Sequence, residues 1–151
     1  MLKVPLECPP SLPQPWQMFH VKVAQAIASL QQDAIVFAVT GSPITTGIKG
    51  YQQVPFSGSI TGWTILSADA TPTSGSIVLD VWRDTYANYP PTVADTITAS
   101  AKPTLTTAIS ATSTILMGWS KNFSAGDVFG VKVDSTASVT SILLYLQVQR
   151  S

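Results

Sequence analysis

Two runs constrain this chain more than any other stretch: residues 59–68 (SITGWTILSA) and 76–83 (SIVLDVWR). In each, apolar side chains largely alternate with small or polar ones, the period of a half-buried strand. Between them lies DATPTSG, residues 69–75, which can only be a loop, and a connection so short and polar sets the two strands antiparallel. The second run ends in a charged, aromatic stretch, WRDTYANYPP, in which Pro90 and Pro91 stop regular structure. A sheet feeding an aromatic loop is therefore the organising unit.

The same period recurs on both sides of that unit. Residues 34–40 read as a strand closed by a turn at Gly41, Ser42 and Pro43, and 47–56 as a second strand with Pro55 marking an edge or its end. After the aromatic loop, 96–101 and 104–109 are weak strands split by Lys102 and Pro103, and 112–119 is a stronger one. Residues 122–127 form a loop before a strand at 128–133, and 134–137 turn into the last strand, 138–149. There Ile142, Leu144, Leu146 and Val148 share one face, which is the expected core face. Eight or nine strands in about 115 residues, without intervening helices, predict a mainly β chain folded as an antiparallel sandwich. The jelly roll is the best match, with an immunoglobulin-like sandwich as competitor; the cysteine pair of an antibody-type domain is absent.

The N-terminal part is built differently. Pro5, Pro9, Pro10, Pro13 and Pro15 predict an extended arm over 1–14 that is either disordered or laid along a neighbouring subunit, the second being an option because of its apolar Val4, Leu6 and Leu12. A short helix is expected over 15–33, where Trp16, Phe19, Val23, Ala26 and Leu30 recur at spacings of three and four and Ile27 widens the stripe. This stripe either packs on its own β-domain, which occupies 34–151, or joins copies around a threefold axis.

Charge excludes some functions. Eight basic residues balance eight acidic ones, so no overall field draws the chain to nucleic acid or an acidic membrane. Only 11% of residues are charged against 45% hydrophobic, a composition suited to a surface partly covered in an assembly. The start lacks the apolar core of a signal peptide, and no run approaches membrane-spanning length. Cys8 is the single cysteine and reads as an incidental thiol.

Catalytic chemistry is hard to assemble. Asp80, Asp84 and Asp95 are the candidates for opposed acids, yet Arg83 and Asp84 read more simply as a local ion pair or turn caps, and Asp95 as part of a turn. His20, the single histidine, sits beside the helix stripe without a second ligand. No enzyme activity, cofactor or metal site is expected. The residues suited to binding are Trp82, Tyr86, Asn88 and Tyr89, since aromatic faces stack on sugar rings and an amide satisfies hydroxyls. Equally, Trp82 anchors the core and the tyrosines pin the loop or fill a subunit contact.

The wording VPFSGSITGWTILSAD followed by GSIVLDVWRDTYANYPPTVADTIT resembles a β-domain of tailed-bacteriophage virion proteins, over roughly the last three quarters of the chain. That resemblance implies a non-enzymatic, jelly-roll-like particle component, in many cases a homotrimer, made in the host cytoplasm and residing in the virion. Its partners would be copies of itself and other virion proteins such as major capsid or tail proteins, attached through the arm and helix as a capsid decoration, cement or short fibre. The alternative is a tail fibre module recognising host surface glycan through the aromatic loop.

Overall fold

A computed structural model of the chain describes residues 14–69 and 75–151, with the side chains of 14–17 and 28–30 left aside. The expected arm therefore lies outside the described residues save Gln14, as do the side chains of Trp16 and Leu30. Helix α1 spans Gln14–Leu30, and the strands follow as β1 (Gln32–Thr40), β2 (Gly47–Gln53), β3 (Gly58–Ser67), β4 (Ser76–Asp84), β5 (Thr104–Thr106), β6 (Ser110–Ser113), β7 (Asn122–Phe123), β8 (Val128–Ala137) and β9 (Ser141–Arg150). They form two antiparallel sheets, ordered β1-β9-β3-β6 with β7 also on β3, and β2-β8-β4-β5. The fold is mainly β, and the two sheets close on a single core as a β-sandwich.

The topology is a ribbon rolled up. β1 pairs with β9, β2 with β8, β3 with β6 and β7, and β4 with β5, so the first four strands run against the last five around the connection that follows Asp84. Curling that ribbon brings β9 against β3 and β8 against β4. This corrects the expected antiparallel pairing of the opening two strands: β3 and β4 belong to opposite sheets. Of the loop expected at 69–75, residues 70–74 lie outside the described residues.

Alternation built the core as expected in β9, where Ile142, Leu144, Leu146 and Val148 are all at most 2% exposed. At roughly 1.5–3 kcal/mol per fully buried aliphatic side chain, this face is a main source of stability. From the other sheet Ile77, Leu79 and Val81 of β4 and Phe129, Val131 and Val133 of β8 meet it. In β3 the alternation breaks, because a register shift between Ile60 and Gly62 leaves Thr61 unpaired and turns Ile60, Trp63 and Ile65 all inward.

Two strand expectations and one loop expectation fail, each for a local reason. Residues 96–101 make one isolated bridge, Thr96 to Trp82, since Ala101 N–H turns back to Thr98 O. The run 112–119 stops at Ser113: its hydroxyl takes the Ile115 N–H, and Gly118 adopts φ 75°, so Ile115 and Met117 bulge into solvent while Trp119 turns inward. The loop expected at 122–127 opens instead with the short strand β7. Conversely, 134–137 extend β8 past a shift opposite Val78 and Leu79, and the turn falls at Ser138, φ 59°.

In helix α1 the expected stripe is not the side buried within one chain. Phe19 and Ala26 are exposed, Val23 and Ile27 are half-buried, and the buried position is Ala24. The helical period fixes which residues share a side, but the smallest of them permits the closest approach.

Candidate functional site

The aromatic stretch caps one end of the sandwich. β4 ends at Asp84, whose carboxylate accepts the Thr85 N–H at 2.7 Å and the Asn88 side-chain amide at 3.2 Å, setting a 3-10 turn over Tyr86–Asn88. Tyr89 N–H closes that turn on Tyr86 O, the Tyr89–Pro90 peptide is cis, and Pro91 is buried. A second 3-10 turn, Val93–Asp95, carries a capping box in which Thr92 and Asp95 satisfy each other's backbone, so Asp95 serves a turn.

The four expected site residues separate. Tyr86 and Tyr89 are 68% and 51% exposed and Asn88 lies beside them, but Trp82 is buried at 7% with its indole N–H on Asp80 Oδ2 at 3.1 Å. Trp82 alternates with the inward-facing Val81 on β4, and its backbone pairs by an isolated bridge with Thr96. It anchors and is not part of the exposed surface.

Tyr51 of β2 takes the place of Trp82, and sequence reasoning missed it. Its ring meets Tyr89 edge-on, centroids 5.2 Å apart at 74°. Tyr51 pairs with Gly130 of β8, which pairs with Trp82 of β4, forming one row across the sheet. A side chain at 130 would stand 3.0 Å from the Tyr51 ring and 3.7 Å from Pro91, so glycine lets the ring lie down toward the loop. Only register brings residues 51 and 89 together, and no local motif signals it.

Beside this row, on the same face of the sheet, lies an ion network. Asp80, 2% exposed, accepts from Thr96 and Thr98 on Oδ1 and from Trp82 and Lys102 on Oδ2. Lys102 also bonds Asp134, which binds Lys132 at 2.7 Å. The register shift in β8 leaves Asp134 as the extra residue and aims it at both lysines. Burial pushes the Asp80 carboxyl up, but its four donors outweigh that and hold it below the usual aspartate value. Asp134 is likewise raised by burial and lowered further by Lys102 and Lys132, while Lys102 is raised, first by its bond to Asp134. Every Asp80 oxygen is thus committed to holding 96–102 on β4.

Arg83 pairs across the sandwich end with Asp127 at 2.7 Å, and Asp127 also accepts the Ser124 N–H. The expected local pair of Arg83 with Asp84 is replaced by this longer one, since adjacent strand residues point to opposite faces. Among the described residues no group of three His, Cys, Asp or Glu side chains converges to hold a metal, and no helix is long and apolar enough to cross a membrane.

The site also has a place in the fold. Gln31 accepts the Arg150 N–H, Ser57 accepts the Ser151 N–H, Val54 bonds Asp127, and β4 ends there at Asp84. The end of α1, the aromatic turn and the loops 54–57 and 124–127 therefore share one end. At the opposite end Gly41 bonds Thr140, Ile44 bonds Val139, and the Asp69 carboxylate accepts from Thr140. No protein-family model matches the chain, and neither does any curated protein or solved structure.

Proposed function

We propose that the chain is a non-enzymatic structural protein of a tailed-bacteriophage virion: a homotrimeric jelly roll on the particle surface, of the capsid decoration, cement or short-fibre kind, anchored by its N-terminal arm and helix. Support for the jelly roll comes from the nested pairing β1/β9, β2/β8, β3/β6 and β4/β5, the pattern produced when a long antiparallel ribbon is rolled into two sheets. The observation that carries the attachment reading is the common end. Helix α1 joins the sandwich at the end where the exposed tyrosines stand, so a body that grips this end meets both.

Mass spectrometry of purified particles from the phage encoding this chain tests the reading. The chain is expected in the particle at stoichiometric level, and an Ala24→Pro variant, its helix broken at a cost of about 3 kcal/mol, is expected to fold its β-domain yet be lost from particles. A chain found only in the soluble fraction contradicts the proposal.

One observation favours a second reading, a glycan-recognising fibre module. Tyr51 and Tyr89 form an exposed aromatic pair beside Tyr86 and the Asn88 amide, a grouping that suits sugar rings and their hydroxyls. A glycan array probed with the intact protein and with a Tyr86→Ala, Tyr89→Ala double variant separates the two. Binding lost in the variant favours the module; no binding in either favours attachment.

A further inference from the structure

At the end where α1 joins the sandwich, three exposed tyrosines stand together. Tyr86 and Tyr89 bracket a 3-10 turn, and residues three apart in such a turn fall on one side of it. Tyr51 meets the Tyr89 ring at 74°, so the two rings make a corner and not a flat plate. The Asp84 carboxylate fixes the turn by accepting from the Thr85 N–H and the Asn88 amide, and Gly130 leaves the Tyr51 ring room to lie down. A corner held in this way exposes its apolar faces with little left to order on binding.

Exposed aromatic rings grouped like this recognise polyproline II segments. Proline rings lie against the aromatic faces, and the segment's carbonyls, unbonded within that helix, accept from donors such as tyrosine hydroxyls. The chain carries such a segment itself, since residues 5–13 read PLECPPSLP. At three residues per turn, Leu6, Pro9 and Leu12 line one edge and Pro10 and Pro13 the next, giving two adjacent apolar ridges at the polyproline II period. Its reach also fits. Residues 1–13 extend to about 40 Å in that conformation, whereas the 17 residues of α1 make about 25 Å. The arm is therefore long enough to run back along a helix to the end where the tyrosines stand. Tethering gives it a high effective concentration there, which no free ligand shares.

We propose that the corner formed by Tyr51, Tyr86 and Tyr89 is the docking site of the proline-rich arm, residues 5–13, which packs on the rings as a polyproline II segment. The proposal goes beyond the attachment reading by naming what covers the tyrosines, and it competes with the glycan reading for the same rings. A chain absent from particles whose arm sits on the tyrosines sinks the virion reading and leaves this one standing. A particle-bound chain whose arm sits elsewhere does the reverse.

A nitroxide on Cys8, the single cysteine, tests this in the full chain by amide NMR. Signals of residues 50–52 and 85–89 are expected to lose intensity, while those of 138–140 at the opposite end keep theirs. Tyr86→Ala combined with Tyr89→Ala, at two exposed positions, should restore the lost intensity and leave the rest of the spectrum in place. Pro10→Gly with Pro13→Gly should do the same from the other side of the contact. Moving the label to position 2, in a chain carrying Leu2→Cys and Cys8→Ser, repeats the measurement should a probe between the prolines hinder docking. An isotope-labelled chain mixed with a spin-labelled one tells whose arm it is: broadening in the mixture means a neighbouring copy supplies it, broadening only within one chain means its own does, and either supports the docking. Tyrosine-end signals that keep full intensity at both label positions overturn the proposal, and so does broadening that persists in the double tyrosine variant.

Discussion

Lys102 Nζ stands 3.2 Å from Asp80 Oδ2, across twenty-two positions of sequence, and this pair fastens the long connection after the aromatic turn to the strand that precedes it. Replacing the carboxylate leaves Thr96, Thr98 and the lysine without their shared acceptor. Asp80→Ala is expected to destabilise the fold by about 3 kcal/mol, the order of a broken buried ion pair. Urea denaturation measures this, and a loss within error of zero would show that the connection holds without it.

The same network gives stability a pH dependence. Asp80 and Asp134 lie below their ordinary value in the fold, so their contribution is complete above the ordinary aspartate range and is lost as pH falls through the lowered folded values. Lys102 is raised, so its contribution is complete below the ordinary lysine value and is lost as pH rises through the higher folded one. The melting temperature should be flat near neutrality and fall in acid, with a shallower acid limb for Asp80→Asn. Superimposable acid limbs would contradict this.

Asp127 and Arg83 close the sandwich end unequally. Asp127 is 4% exposed and holds both the guanidinium and the Ser124 N–H, while Arg83 Nε is buried without a partner. Asp127→Ala should cost about 3 kcal/mol by leaving a cation unpaired, and Arg83→Met only about 1 kcal/mol. Equal losses by denaturant melt would argue against the asymmetry.

Gly130 and Tyr51 should be coupled. A valine at 130 meets the tyrosine ring, so Gly130→Val is expected to cost about 1 kcal/mol in the unaltered chain and to be neutral or stabilising in a Tyr51→Ala background, where β-propensity alone acts. A double-mutant cycle reads the coupling, and additive effects would show that the ring does not rest there.

How much of this was legible in the sequence depends on the range of the interaction. The core face of β9, the Gly41 turn and the Asp95 turn follow from period and turn chemistry, which act over a few residues. Partner choice does not: residues 76–83 alternate in the same way whether they pair with β3 or, as found, with β8. Register shifts also hide behind alternation, which is why 134–137 look like a turn but extend β8 around the Asp134 bulge. At the site, exposed Tyr86, Asn88 and Tyr89 could be read from a proline-ended aromatic loop. Trp82 could not be told from them, because its burial and its bond to Asp80 come with the long-range pairing of β4 with Thr96 and β8. Tyr51 had no signal, since its role depends on a glycine in a strand remote in sequence.

The central claim is that this sandwich is held in the virion by the end that carries α1 and the tyrosine turn. A cryo-EM map of the phage particle with the subunit fitted into it tests this most directly. The account predicts density for the chain with α1 and Tyr86 directed toward the particle body and the turn at Ser138 pointing to solvent. A map with no such density, or with the Ser138 turn seated on the particle and the tyrosines outermost, would contradict it.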